Sequence, residues 1–373
     1  MANPDVAPVV AVIGAGIVGA SVAYALARRG AHVVVLEAGT PGSGTSGTSF
    51  AWLNSVRKEP EHYHRLNAAG MAAYRELASE LGDDLGYHSG GSLEWAEGAE
   101  DTRELRERVA RLASRGYAVE WTSRERALAM EPPLQIPRTV DDVVFYSADG
   151  WLDAPRAVRC LLAAARARGA DVRASTPVRA LRRRNDRVDA IALADGDVAA
   201  PSVVVCVGPA TAAFLAPLDT TIPVGRLPGL LAVTSRPSSP LGRVVHAPGI
   251  HLRPDASGGL LLGATDVDGV VADGESSTPL LEVAKPLLER AGRVFAPARD
   301  VRLVDARVGV RPMPADGHTI AGRIPGLTNA WVVATHSGVT LGALLGRLVA
   351  DEVLGKPPSP ELEAFRPGRF ASR

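Results

Sequence analysis

Cysteine, lysine, aromatic residues and long apolar runs are all scarce in this sequence. Its two cysteines, Cys160 and Cys206, stand in apolar segments. They exclude a disulfide framework, offer no metal-ligand spacing, and read as two small buried thiols. Lysine occurs only at Lys58, Lys285 and Lys356, so the other basic residues are arginine, a bias from which no stability argument follows. Lys+Arg and Asp+Glu each number 41, giving zero net charge. That balance implies no polyanionic partner and sets nucleic acid aside. No apolar run is long enough to span a bilayer. No basic region precedes the first apolar run, which is needed as a strand, so no signal peptide is expected and the cytoplasm is the default location. With 373 residues, 46% hydrophobic and 22% charged, the composition is that of a globular chain with material for two cores.

The most informative stretch that is present lies near the start: Val9-Val10-Ala11-Val12-Ile13-Gly14-Ala15-Gly16-Ile17-Val18-Gly19. An apolar strand over Pro8–Ile13 leads into three glycines and a helix expected to run to about Arg29 and stop at Gly30. Gly14, Gly16 and Gly19 let the backbone turn tightly and approach a pyrophosphate, which sits on the helix end opened by Ile17 and Val18. A second apolar strand, His32-Val33-Val34-Val35-Leu36, ends on Glu37, which is 18 residues after Gly19. An acid there is placed to bind a pair of ribose hydroxyls. Strand, glycine turn, helix, second strand and acid together point to an adenine dinucleotide. The Gly/Ser/Thr stretch from Ala38 to Ser49 follows at the carboxyl edge of the sheet and suits a second pass over the pyrophosphate.

Amphipathic helices are expected from about Pro60 to Leu81 and from Asp101 to Arg115. His62 and His64 begin the first; two apart, they share no helix face and read as surface or cap residues. A composition break at Asp149–Pro155 precedes a helix over Pro155–Arg168. Strands follow at Asp171–Ala174, Ala180–Arg183, Val188–Leu193 and Val203–Val207, with a hairpin turn at Ala194-Asp195-Gly196-Asp197. The strand Val203–Val207 ends on Gly208, which leaves backbone free at a strand's carboxyl end. Strands at Leu230–Thr234, Gly249–Arg253 and Leu260–Ala264 and a helix at Leu280–Arg290 come next. A final strand, Ala330–Ala334, meets the turn Thr335-His336-Ser337-Gly338-Val339-Thr340 and an apolar helix over Leu341–Leu354, whose N-terminus is open to a ligand.

In this order the pieces resemble the FAD-dependent D-amino acid oxidase superfamily over nearly the whole chain. The resemblance rests on the glycine motif with Glu37, on Ser46-Gly47-Thr48-Ser49, on Gly150-Trp151-Leu152-Asp153 and on Val203–Gly208. It continues through Gly309-Val310-Arg311-Pro312-Met313-Pro314-Ala315-Asp316-Gly317 and Asn329-Ala330-Trp331…His336-Ser337-Gly338. It implies an α/β fold: a discontinuous Rossmann-like FAD-binding domain (residues 1–55, 145–222 and 305–373) with an inserted α+β substrate-binding domain (56–144 and 223–304). It further implies that Gly14, Gly16, Gly19, Glu37, Thr45 and Ser46 hold FAD, that backbone near Val178 meets the adenine, and that Gly338, Val339 and Thr340 reach the flavin's pyrimidine edge. Arg311 matches the arginine that grips a substrate carboxylate, with Arg307, four residues earlier on the same strand face, as its rival. His251 falls where relatives carry a substrate-contacting tyrosine, His336 beside the flavin; His246 is a weaker candidate for substrate contact.

Two departures qualify the resemblance. Sarcosine oxidases carry an oxygen-activating lysine in a Gly-x-Lys-x-Gly strand; here Leu261 takes its place within Gly259-Leu260-Leu261-Leu262-Gly263. They also hold FAD through a cysteine near the Gly-x-Arg-Pro stretch, and neither that cysteine nor a histidine in Ser46–Asn54 exists here, so FAD is expected to be non-covalent. The resemblance implies oxidation of the amine of an amino acid or a related secondary amine to an imine, with hydride passing to flavin N5. Oxygen or another electron acceptor completes the cycle, and the oligomeric state is left open. Three other readings stand beside this one: a dehydrogenase passing electrons to a quinone or carrier, an FAD-binding accessory subunit of an amine-oxidising complex, and an NAD-dependent dehydrogenase.

Overall fold

A computed structural model describes residues 9–199, 201–269, 271 and 279–371. Two large sheets organise it. The first has six strands in the order Ile320–Arg323, Ala330–Ala334, Ser202–Val205, Val9–Ile13, His32–Leu36 and Asp171–Arg173. Every pairing in it is parallel except that of the edge strand Ile320–Arg323. Its central strands are apolar on both faces because helices cover one side and the antiparallel strands Ala180–Arg184 and Arg187–Leu193 pack on the other. The helix Ile17–Arg28 buries Ile17 and the whole run Gly19–Ala27. It lies between the helices Ala154–Arg166 and Gly338–Val353. Small residues permit this crowding: a Cβ on Gly346 would stand 2.7 Å from Ser21 backbone.

The second sheet has eight strands, in the order Leu303–Pro314, Val224–Thr234, Leu260–Gly263, Ile250–Pro254, Val244–Ala247, Ser92–Glu94, Asp142–Tyr146 and Val119–Ser123. It is antiparallel apart from the pair Val244–Ala247 with Ser92–Glu94. The helix Leu280–Val294 closes a core over it, with Leu230, Leu252, Leu262, Leu287 and Phe295 buried together. Short strands Trp52–Leu53, Gly150–Leu152 and Tyr87–Ser89 form a small bridging sheet.

Most expected elements are present with shifted ends. Pro8 lies outside the described residues. The strand Ser202–Val205 ends before Val207 because Val207 leaves the extended region and Gly208 takes φ +55°. The composition break has a local cause: Asp153 caps the helix Ala154–Arg166, accepting from the Arg156 amide at 3.1 Å. Three readings need correction: Cys160 is only partly buried, the domain boundary expected at 305 falls inside the strand Leu303–Pro314 of the eight-stranded sheet, and the two histidines of the first amphipathic helix differ. His62 is exposed, but His64 is buried, its ring within 3.0 Å of the Ser55 hydroxyl and 2.9 Å of the Ser55 carbonyl. The segment Leu53–Val56 folds over that face of the helix Glu61–Leu81, and hydrogen bonding to Ser55 makes the burial tolerable. No helix among the described residues is long and apolar enough to cross a membrane.

Candidate active site

At the carboxyl edge of the six-stranded sheet the glycine turn is fixed by its surroundings. Gly14 has φ +94°, and a Cβ there would meet the Cys206 carbonyl oxygen at 2.5 Å; one on Gly19 would stand 2.0 Å from the Gly14 carbonyl oxygen. Gly16 caps the helix without any side-chain cap, and the first turn carries no acid. The Ile17 amide donates to the buried Ser46 hydroxyl at 2.9 Å. Glu37 accepts from the Ala15 and Gly39 amides at 2.7 and 2.8 Å, which uses two of its lone-pair positions and leaves others for a ribose. Thr45 donates to the Val310 carbonyl at 2.5 Å and so ties this loop to the eight-stranded sheet. Val178 lies apart from the cleft, partly buried under the sheet, in the segment that Thr176 fastens to the Glu37 carbonyl at 2.7 Å.

The open helix end fits an anion, and the bare glycine backbone fits its close approach. These features suit the FAD pyrophosphate, with Glu37 beside it for the ribose. From Gly16–Val18 one cleft runs to the second helix end, where it is lined by Gly208, His336, Gly338, Val339 and Thr340. That helix, Gly338–Val353, also begins without a side-chain cap or a first-turn acid. Thr340 donates to the Trp52 carbonyl at 3.2 Å, and Ser337 shares a hydrogen bond of 3.0 Å with the Tyr63 hydroxyl. Cys206 lies on the cleft floor; burial pushes its thiol up to about 12, which leaves it protonated and a poor nucleophile.

The far wall is built by side chains from distant segments. Arg311, on the strand Leu303–Pro314, lines the cleft and pairs with Asp268 at 2.8 Å. Its guanidinium also donates to the carbonyls of Pro228 at 2.7 Å and Leu227 at 3.3 Å. Nη1 has no protein partner among the described residues. Arg307 pairs with Asp305 at 2.5 Å and opens on a neighbouring depression. His251 sits edge-on to Phe50, 5.0 Å between centroids, and both line the cleft. His246, opposite it in register, stacks near Trp52 at 4.0 Å. Burial holds all three imidazoles neutral: His251 and His336 are lowered to about 4, and His246 falls well below the usual range. The next causes are cationic: Arg57 acts on His251, and Lys58 and Arg311 act on His336. Trp52 is anchored from behind, where its Nε1 donates to the buried Asp149 at 2.9 Å; burial raises that carboxyl to about 7.

Motif reasoning thus missed Lys58, Asp268, Phe50 and Trp52, all of which line the cleft. None sits in a glycine-rich or Pro-flanked pattern that would have marked it. Gly16, Ile17, Val18, Thr45 and Ser46 line the cleft, whereas Gly14, Gly19, Glu37 and Val178 do not, Gly14, Gly19 and Glu37 shaping the turn behind it.

The sequence profile of a family described as FAD dependent oxidoreductase matches residues 10–352. Glycine oxidase from Geobacillus kaustophilus is 28% identical over 95% of this chain and 95% of its own. A subunit of the opine oxidase of Agrobacterium tumefaciens is 26% identical over 96% of each chain. The crystal structure of the Geobacillus kaustophilus glycine oxidase superposes with a TM-score of 0.86 at 27% identity, covering 97% of this chain and 99% of that one. The chain belongs to the FAD dependent oxidoreductase family of the D-amino acid oxidase superfamily.

Proposed function

We propose that this protein oxidises the C–N bond of an amino acid or a carboxylate-bearing secondary amine, giving an imine that water hydrolyses. The observation that carries the reading is the single cleft that joins two open helix ends to a guanidinium and two neutral imidazoles. Bound FAD supplies the two-electron acceptor for the hydride. Arg311 offers Nη1 to the substrate carboxylate. His251 and His336, uncharged, hydrogen-bond the substrate without repelling an incoming ammonium. Phe50 and Trp52 wall the reacting carbon from water. An amine bound in its neutral form needs no separate base. FAD is held without a covalent bond, since the protonated Cys206 thiol is the cleft's only cysteine among the described residues.

The test is anaerobic bleaching of the flavin by a panel of amines, which presumes no electron acceptor. Losing a charge-assisted partner costs about 2–5 kcal/mol, so Arg311→Ala should raise the substrate needed by roughly tens-fold to thousands-fold without lowering FAD content. Acid precipitation should release all the yellow colour. Bleaching by Arg311→Ala as readily as by wild type would move the anchor elsewhere.

A second reading rests on the full-length similarity to the opine oxidase component: the chain works as one part of an amine-oxidising complex. Bleaching by the isolated chain argues for a self-sufficient enzyme; bleaching only with a co-purifying partner argues for the complex.

A further inference from the structure

Lys58 is the uncompensated charge of the cleft. It lines the same cleft as Arg311, yet among the described residues its ammonium has no ion pair or hydrogen bond. The other two lysines pair with Glu282 and Asp351. The adjacent acid, Glu59, is taken by Arg115 at 2.6 Å. The centroid of the Tyr63 ring lies 6.0 Å from Nζ, at the limit for a cation–π contact. Arg311, by contrast, is balanced by Asp268. With its imidazoles neutral, the cleft is lined by two cations and one carboxylate. A desolvated cation without a partner is unfavourable and is stabilised by an anion from outside.

We propose that Lys58 is a second carboxylate anchor and that the preferred substrates are amines bearing two carboxylates, one held by Arg311 and one by Lys58. The proposal rests on the amine-oxidising reading of the cleft. Pairing supports it: a substrate with one carboxylate engages one of the two cations and leaves the other unmatched, whereas a second carboxylate gives Lys58 an anion of its own. The two anchors act on a common neighbour, since both raise the potential at His336. Burial lowers the Lys58 ammonium only to about 8, so it is charged at neutral pH.

The experiment uses thioether analogues, which keep the carboxylates and chain length of the amines but carry no amine to oxidise. Flavin absorbance changes of the holoenzyme are titrated with the diacids thiodiglycolate and thiodipropionate, each against its monoacid, methylthioacetate and methylthiopropionate. A charge-assisted bond is worth about 1.5–3 kcal/mol, so at least one diacid should bind about tenfold or more tightly than its monoacid. In Lys58→Met this preference should shrink to near unity, and Lys58→Arg should restore it. No preference in wild type, or a preference that survives in Lys58→Met, overturns the anchor. Equal weakening of monoacid and diacid also overturns it and assigns Lys58 to the flavin or to oxygen. Because the probes do not turn over, the outcome is separate from the bleaching test. A diacid preference without bleaching by any amine sinks the amine reading and spares the anchor; bleaching without the preference does the reverse.

Discussion

The two ends of the cleft are built from different materials. The end proposed to hold the nucleotide is mainly backbone: close-packed glycines and two helix starts without an N-cap side chain or a first-turn acid, nearly all within one βαβ unit and one later strand–turn–helix. The end proposed to take substrate is side chain: Lys58, His251, Asp268, Arg311 and His336 line the cleft from five separate segments. A backbone site tolerates almost no change in geometry, because there is nothing to rotate out of the way. A side-chain site can be retuned one residue at a time while the fold persists. That is how one scaffold serves many amine substrates around one cofactor.

The largest effect on cofactor binding is expected where backbone meets backbone. In Gly14→Ala the new Cβ would lie 2.5 Å from the Cys206 carbonyl oxygen, at a φ of +94° that side chains disfavour. Neither strand can yield, because the Gly14 amide bonds the Leu36 carbonyl at 2.9 Å and the Cys206 amide bonds Ile13 at 2.8 Å. Strain of about 1–3 kcal/mol per such position corresponds to roughly fivefold to somewhat over a hundredfold weaker FAD binding. Flavin content after dialysis measures it. Full retention of flavin would erase the contrast with Arg311→Ala, which should keep its FAD.

Acid sharpens the same comparison. His246 and His251 face each other on neighbouring strands of the eight-stranded sheet, and His336 joins them from across the cleft. Their folded forms stay neutral to about pH 4 or below, whereas unfolded histidine takes up a proton near pH 6.5. Below that pH the unfolded chain therefore binds more protons, and stability falls as pH drops from about 6.5 to 4. Asp149 acts in the opposite sense: its carboxyl is raised to about 7, so the folded form holds a proton there that the unfolded form lacks. One such group offsets only part of three imidazoles. Urea midpoints should fall between pH 7 and 4.5, and amide exchange in Ile250–Pro254 should quicken before that in Val9–Ile13. Uniform loss of protection across both sheets would count against the contrast.

The same division decided what the sequence revealed. Gly14, Gly16, Gly19 and Glu37 were legible because a backbone site needs its residues at fixed, short spacings. Arg311 was singled out by its match to the family's arginine, helped by its Pro-flanked setting, and not by any spacing of its own. Lys58 was invisible for a physical reason: it stands in the charged run Arg57-Lys58-Glu59-Pro60, which reads as solvent-facing. Only tertiary packing brings it into the cleft. His64 was misjudged likewise, since its burial depends on Ser55 folding over the helix. The short strands Ser92–Glu94 and Val244–Ala247 carry no long alternation, and their pairing across some 150 residues is set by the sheet as a whole.

The smallest expected effect tests whether the substrate end can be tuned. The Arg311–Asp268 pair is partly exposed, with side chains 32% and 18% accessible, so its contribution is screened. A substrate carboxylate shares the guanidinium with that acid and is repelled by it. Asp268→Asn removes the charge yet keeps an oxygen to accept from the Leu230 amide, now bonded at 2.9 Å. The fold should be undisturbed and FAD content unchanged. A partly exposed pair is worth up to about 1 kcal/mol, so half-saturation by carboxylate-bearing amines should improve by roughly twofold to fivefold. Amines without a carboxylate should not gain. If Asp268→Asn instead weakens every amine, the acid is holding the substrate nitrogen, and the wall is fixed by an ion pair with the amine rather than free to be retuned around Arg311.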